Sequence, residues 1–210
     1  MDADKPESKK HLSPKEVGCE FCPLNKVSGI HKVKGEVRRR EVFIWGMAPG
    51  REENEELREF VGKSGKLLWQ ELERVGILRS MSDVQNIVRC FPADRDEERR
   101  PALKMRDPRK EEIHCCSVYT EDAMRQSQAK VHLIFGKVAA RTLLTLLGTE
   151  FKKGKKEFWS EKLNAHVLCI WHPSYLVRRG YSAGGTKPPD EKFKQWRNDF
   201  ERAQSLLGRT

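Results

Sequence analysis

Glu41-Val42-Phe43-Ile44-Trp45-Gly46-Met47-Ala48-Pro49-Gly50 is the stretch that decides how this chain folds. Four consecutive large apolar residues follow the basic run Arg38-Arg39-Arg40 and stop abruptly at Gly46 and Pro49. A short, uninterrupted apolar run closed by turn residues predicts a strand buried on both faces. Three more runs extend the pattern: about Val84 to Arg89, Val131 to Phe135, and His166 to Trp171. Helical segments separate them. Ser64 is placed to cap a helix through Val75, with Leu67, Leu68, Leu72 and Val75 on its inner face. Further helices are expected from Pro108 to Arg125, from Lys137 to Leu147 after the turn at Gly136, and from Asp190 to Leu207. Strands alternating with helices predict a three-layer α/β/α sandwich around a central, mostly parallel four-stranded sheet. Ligands of such sheets lie outside the carboxyl ends of the strands.

Composition narrows the partner. Lys and Arg number 41 against 31 Asp and Glu, a net charge of +10 over 210 residues. That balance attracts polyanions and favours nucleic acid. No apolar stretch has the roughly 18 residues of a membrane span. Met1 to Val17 is polar, with charges of both signs, and reads as a disordered arm and not a secretory signal. The rest, 18–210, reads as one domain, a monomer in the cytoplasm, associated with the nucleoid if the source is prokaryotic. The segment Pro92 to Pro108 is charged and proline-bearing and is expected to be an exposed loop; Lys152 to Lys156 is a basic loop.

Six cysteines without a signal peptide point to ligand chemistry in a reducing compartment. Cys19 and Cys22 form a Cys-x2-Cys-Pro pair in a polar segment, Cys90 ends the second strand, and Cys115-Cys116 lie on the following helix. Four thiolates suit a [4Fe-4S] cluster and equally suit tetrahedral zinc. Cys169, inside a strand, reads as a small buried hydrophobe.

A second motif, His172-Pro173-Ser174-Tyr175-Leu176, follows the last strand as Gly46 to Gly50 follows the first. The two together resemble the two walls of a uracil-DNA glycosylase site. With the cysteines, the resemblance is to the iron-sulfur family four enzymes and covers about Cys19 to Trp196. It implies a DNA glycosylase that hydrolyses the N-glycosidic bond of uracil or a related damaged pyrimidine, in single- or double-stranded DNA, within base excision repair. The register of Asn86-x-x-x-Cys90 and Glu111-Glu112-x-x-x-Cys116 selects Cys19, Cys22, Cys90 and Cys116 as ligands of a [4Fe-4S] cluster and leaves Cys115 spare.

The resemblance also assigns roles. Phe60 stacks on the flipped base, and Asn86 reads its edge by accepting from N3–H and donating to O4. His172 supports negative charge at O2 as the bond breaks. Gly46, Ala48 and Gly50 line the base site, and backbone N–H groups around Ala48 and Gly50 are candidates to hold the water or the base. Glu53 lies beside pyrimidine C5. Ser174, Leu176, Arg178 and Arg179 form the loop that wedges into the duplex and grips phosphates. Each has a plainer structural reading: a core phenylalanine, a strand asparagine bonded internally, a turn histidine, a solvated loop charge, a helix with a basic edge.

The pattern breaks at Met47, where family four carries the glutamate that handles the attacking water. Asn54, Leu57 and Glu59 stand where that family has Asp, Gly and Pro. Gly46-Met47-Ala48-Pro49 also resembles the apolar first motif of family five, but the aspartate used there falls near Lys63. Glu52 and Glu53 are the remaining acids nearby. The alternative function is a catalytically silent relative that binds DNA, a modified base or a protein partner.

Overall fold

The computed structural model describes residues 17–95, 103–150 and 156–208. Its centre is a five-stranded sheet in the order β2-β1-β5-β7-β6. β1 (Val42–Gly46), β2 (Ser82–Asn86), β5 (Val131–Phe135) and β7 (Ala165–Ile170) run parallel, and β6 (Glu157–Ser160) pairs antiparallel with β7 at one edge. The four parallel strands match the expectation. β6 is the addition: its mixed residues give an edge strand no apolar run, so its sequence carries no strand signal of the kind that marks β1.

Side chains of β1 alternate strictly between two cores, as the two-residue period requires. Val42 and Ile44 pack with Leu67, Leu68 and Leu72 of α2 (Lys63–Arg74) and with Trp196 and Phe200 of α6 (Glu191–Leu206). Phe43 and Trp45 face Ala123 and Met124 of α3 (Lys110–Gln126) and Ala139, Ala140 and Leu143 of α4 (Lys137–Leu146). Their rings stack 4.0 Å apart, and Trp45 Nε1 donates to Nδ1 of buried His132 at 2.9 Å. Burial pushes the His132 pKa down to about 3, so the ring is a neutral acceptor.

Several boundaries differ from expectation for physical reasons. β2 starts at Ser82, not Val84, because its polar residues all find fixed partners. Asp83 accepts from the backbone N–H groups of Arg38 and Arg40 at 2.7 and 3.0 Å, and Gln85 donates to Tyr119 O at 3.0 Å. Gly62, not Ser64, is the N-cap of α2. The acidic run expected as a loop forms the short helix α1 (Arg51–Glu56); Glu52 and Glu53 sit in its first turn, where carboxylates favour the helix dipole. The segment expected as an exposed loop contains a small antiparallel hairpin, β3 (Ala93–Arg95) and β4 (Leu103–Met105). The expected N-terminal arm up to residue 16, the middle of that hairpin segment and Lys152 to Lys155 lie outside the described residues. Among the described residues no helix is long and apolar enough to cross a membrane.

One buried ion pair fixes the start of α3. Glu112 is fully buried, receives both terminal nitrogens of Arg106 at 2.5 and 2.8 Å, and accepts from the Arg109 backbone N–H at 2.7 Å. Removing only the cation strands a carboxylate in the interior. Arg106→Met is expected to lower unfolding free energy by about 3 kcal/mol. Arg106→Met combined with Glu112→Leu is expected to recover most of that loss; urea titrations of the two variants check the pair.

Candidate active site

The carboxyl ends of β2, β1, β5 and β7 form one rim. Asn86 ends β2, Gly46 ends β1 opposite it, Gly136 follows β5, and His172 follows β7. Three strand spacings separate the Asn86 and His172 strands, roughly 14 Å at about 4.8 Å each. Of the two strands between them, β1 ends on Gly46 and β5 is followed by Gly136, which keeps the floor low.

Gly46 is where the base-site residues meet. A methyl group there would overlap Asn86 Oδ1 and stand 2.8 Å from Phe60 Cζ. Phe60 is mostly buried, its ring in the same core as Leu67 and Ile170, yet its edge reaches Gly46. The plainer reading as a core phenylalanine holds for the ring, while its edge lies at Gly46. Its backbone is left-handed, φ 52°, as is that of Leu57 at 54°. For bulky residues such a conformation costs roughly 1–3 kcal/mol and persists only when over-determined. Arg79 Nη2 holds Glu59 O at 2.8 Å, and Gly65 leaves room for Phe60's own backbone, where a Cβ would collide.

His172 caps α5 (Pro173–Arg178). Its Nδ1 accepts from the Ser174 N–H at 3.2 Å and lies 2.8 Å from Ser174 Oγ, which also accepts from Arg178 Nη1 at 3.2 Å. Since Nδ1 accepts, the neutral ring carries its proton on Nε2. Burial first, and then the charge of Arg178, push its pKa down to about 4. Gly136 lies directly beneath: a Cβ there would come within 3.2 Å of His172 Cβ.

Three expectations are corrected here. Leu176 has no exposed surface and belongs to the core, so it is not a wedge into the duplex in this conformation. Both oxygens of Glu53 are committed to backbone, accepting from Gly50 at 2.9 Å, Val61 at 3.0 Å and Gly62 at 2.8 Å. It is neither a solvated loop charge nor a free base for activating water. The same bond uses the Gly50 N–H, which is therefore not open to a water or a base. Arg178 and Arg179 are exposed as expected; Arg179 pairs with Asp190 at 2.5 Å and lies over the Tyr175 ring. Met47 is half-buried and its carbonyl accepts from the Val88 N–H at 3.0 Å. Asn54 joins α1 to the N-terminal segment through His31 N–H and Gly29 O.

Glu59 was passed over by sequence reading as a mere departure from a pattern. It is fully buried, and one carboxylate oxygen accepts from Asn86 Nδ2. Among the described residues its other oxygen has no hydrogen-bond partner. Burial, with the charge of Glu53 adding to it, raises its pKa to about 8. A single carboxylate among acidic neighbours gives no sequence signal for this; only the backbone turn at Phe60 brings it inward.

A second corner gathers the cysteines. Cys19, Cys22, Cys90, Cys115 and Cys116 line one hollow of about 180 Å³ with Lys32, Arg89 and Tyr119. Lys32 donates to Cys19 Sγ at 3.1 Å. Burial raises the thiols of Cys90, Cys115 and Cys116 to about 12, 12 and 11, so in the metal-free protein they are protonated. Besides burial, the charges of Cys116, Cys22 and Cys19 raise Cys90, and those of Cys22 and Cys116 raise Cys115. Among the described residues no group of three or more His, Cys, Asp or Glu is already arranged to hold a metal ion. The chemistry of the donor set fits a thiolate-bound metal centre all the same, with sulfur ligands around an enclosed hollow. Cys169 is half-buried on β7, against the α4 side of the sheet, as expected of a packing residue.

The family described as the Uracil DNA glycosylase superfamily matches residues 34–201. The chain is 28% identical over 206 residues to the Type-4 uracil-DNA glycosylase of Archaeoglobus fulgidus, covering 92% of this chain and 90% of that protein. It is 30% identical to the protein of the same description from Pyrobaculum aerophilum, over 77% of this chain and 80% of the relative. For the Sulfurisphaera tokodaii protein, also described as a Type-4 uracil-DNA glycosylase, identity is 27% over 91% and 84%.

Two outcomes are expected. Gly46→Ala should leave the melting temperature within a few degrees but abolish base binding, because the added methyl displaces Phe60 and Asn86 together; fluorescence titration with uracil-containing DNA measures it. An imidazole in the unfolded chain titrates near 6.5, and folded His172 near 4. Between those values the unfolded state binds the proton and the folded state does not, so stability should fall as pH drops from about 6.5 to about 4. Replacing His172 by Asn should flatten part of that slope in urea titrations at stepped pH, the remainder belonging to His132.

Proposed function

Because this chain belongs to the uracil-DNA glycosylase superfamily, we propose that it hydrolyses the N-glycosidic bond between uracil and deoxyribose in DNA. The observation that carries the reading is the shared rim: an aromatic edge and a carboxamide meeting over Gly46, and a neutral imidazole across the strands closed by Gly46 and Gly136. Phe60 brings its aromatic edge to Gly46; a base stacked on such a ring gains about 1–3 kcal/mol. Asn86 has an acceptor for N3–H and a donor for O4. His172, neutral with its Nε2–H free to donate, stabilises the charge that builds on O2 as the bond lengthens.

Bond breaking leads in this scheme. The base leaves as an anion held by His172, and the oxocarbenium-like sugar is captured by water. Met47 gives that water no base, and Glu53 is engaged elsewhere, so leaving-group support supplies most of the rate enhancement. Arg178 and Arg179, exposed on and just after α5, are the groups we assign to phosphate contact.

For the cysteine corner we propose a [4Fe-4S] cluster held by Cys19, Cys22, Cys90 and Cys116, with zinc as the alternative that the same thiolates would accept. Its contribution is structural. The cysteines join the N-terminal segment to the end of β2 and to α3, and Ala48 of the first motif packs against this corner.

A fluorescent single-strand assay tests the activity. His172→Ala is expected to lower uracil release by about 10²–10³. Met47→Glu is expected to raise it, by up to about 10² where a general base becomes available. An inert wild type that gains turnover only with Met47→Glu would favour the silent-relative reading. For the metal, anaerobically purified protein is expected to be brown and to contain iron by elemental analysis. Cys116→Ser should lose the colour and Cys115→Ser should keep it; zinc in place of iron would overturn the cluster assignment.

A further inference from the structure

Asn86 can tell uracil from cytosine only if its amide is held one way round. Uracil presents N3–H and O4, a donor and an acceptor, and cytosine presents N3 and N4–H₂, an acceptor and a donor. A carboxamide that turns by 180° satisfies either edge equally well. Something must therefore stop it turning.

From the contact between a buried carboxyl and this amide, we infer that Glu59 is a positioning residue that locks Asn86 in the uracil-reading orientation and so excludes cytosine from the site. The inference rests on the reading of Asn86 as the base-edge reader. Asn86 Nδ2 donates to Glu59, which commits one of its two hydrogens and leaves the second for O4. Oδ1 is thereby turned over Gly46, beside the Phe60 edge, where a stacked base would bring N3–H. Turning the amide would set Oδ1 against an acceptor oxygen of ionised Glu59. Burial raises the Glu59 pKa to about 8, so near neutral pH the carboxyl is mostly protonated and its O–H can meet a turned Oδ1; the lock belongs to the ionised form, present above about pH 8.

The burial of Glu59 is otherwise hard to account for. Its second oxygen is inside the protein with no partner among the described residues, a destabilising arrangement with no evident packing benefit. The charged groups that face it are Glu53 from α1 and Arg89 from the segment after β2; neither forms a hydrogen bond to its side chain among the described residues. Arg79 bonds only its main-chain oxygen. A costly buried group whose one side-chain bond goes to the residue that reads the base is the mark of a site device, not of a stability device.

The test separates base choice from turnover. Oligonucleotides carrying 2′-fluoroarabino-uridine or 2′-fluoroarabino-cytidine resist glycosidic cleavage and report binding alone. Wild type, Glu59→Leu and Glu59→Gln are titrated with both at about pH 9, where Glu59 is ionised, and their melting temperatures are measured. The wild type is expected to prefer the uracil oligonucleotide by about tenfold or more, the effect of one mismatched buried hydrogen bond. Glu59→Leu is expected to narrow that ratio about tenfold, chiefly by gaining affinity for cytosine, and to melt no lower than wild type. Glu59→Gln, whose own amide can turn with that of Asn86, should fall between; it also supplies the answer if the leucine variant does not fold. An unchanged ratio in both variants, equal weakening for both bases, or no preference in the wild type would overturn the inference. Release of uracil from ordinary deoxyuridine DNA is scored separately. Its absence counts against the glycosylase reading, while the binding ratios still decide the role of Glu59.

Discussion

The absence of a side chain at Gly46 is the constraint from which the site follows. β1 is the strand that pairs with both β2 and β5, and its last residue faces the last residue of β2. Any Cβ at that point would occupy the place where Phe60 and Asn86 come together. The packing around it is arranged to push those two groups inward. Gly65 lets α2 press against Phe60's backbone, Arg79 grips the carbonyl of Glu59, and Phe60 accepts a left-handed backbone as a result. The strain is sustained because the same ring is also part of the large core.

Buried charge is handled in two contrasting ways. Glu112, Glu71 and Glu53 are buried but saturated: by Arg106, by Arg197 at 2.6 and 2.8 Å, and by three backbone N–H groups respectively. Each of these ties two or more elements together, as satisfied polar networks in an interior do. Glu59 alone among these four is left half-satisfied, and it is the one that touches Asn86, the residue proposed to read the base. His132 and His172 show the same division. Both are neutral through burial, but His132 is enclosed between Trp45 and Ser127, while His172 sits at the rim with its Nδ1 fixed by Ser174.

The two functional corners are not independent. Val88 and Ile87 donate to the carbonyls of Met47 and Gly46, so the first motif is bonded to the chain that leads to Cys90. Ala48 packs on the cysteine corner, and Asn54 carries the N-terminal segment to α1. A centre that ordered the thiols would thereby also steady the floor of the base site.

How much of this was legible in sequence depended on the kind of signal. Apolar runs marked β1, β5 and β7 nearly residue for residue, because a strand buried on both faces without polar partners is apolar. Gly46 and His172 stood out for a related reason, since each ends or closely follows such a strand and ligands gather where parallel strands end; Asn86, expected inside a strand from Val84 to Arg89, was picked out by the resemblance, and only the fold puts it at the end of β2. β6 and β2's first residues were not legible, since a strand edge or a polar strand is stabilised by partners distant in sequence. Only the folded chain decided that Leu176 belongs to the core and that Glu53 holds three backbone N–H groups, at Gly50, Val61 and Gly62. It also decided that Glu59, one of several acidic residues in a row, turns inward to Asn86. Those outcomes depend on which groups the backbone brings within about 3 Å of one another. Local composition carries no record of contacts made across 27 residues or across a sheet.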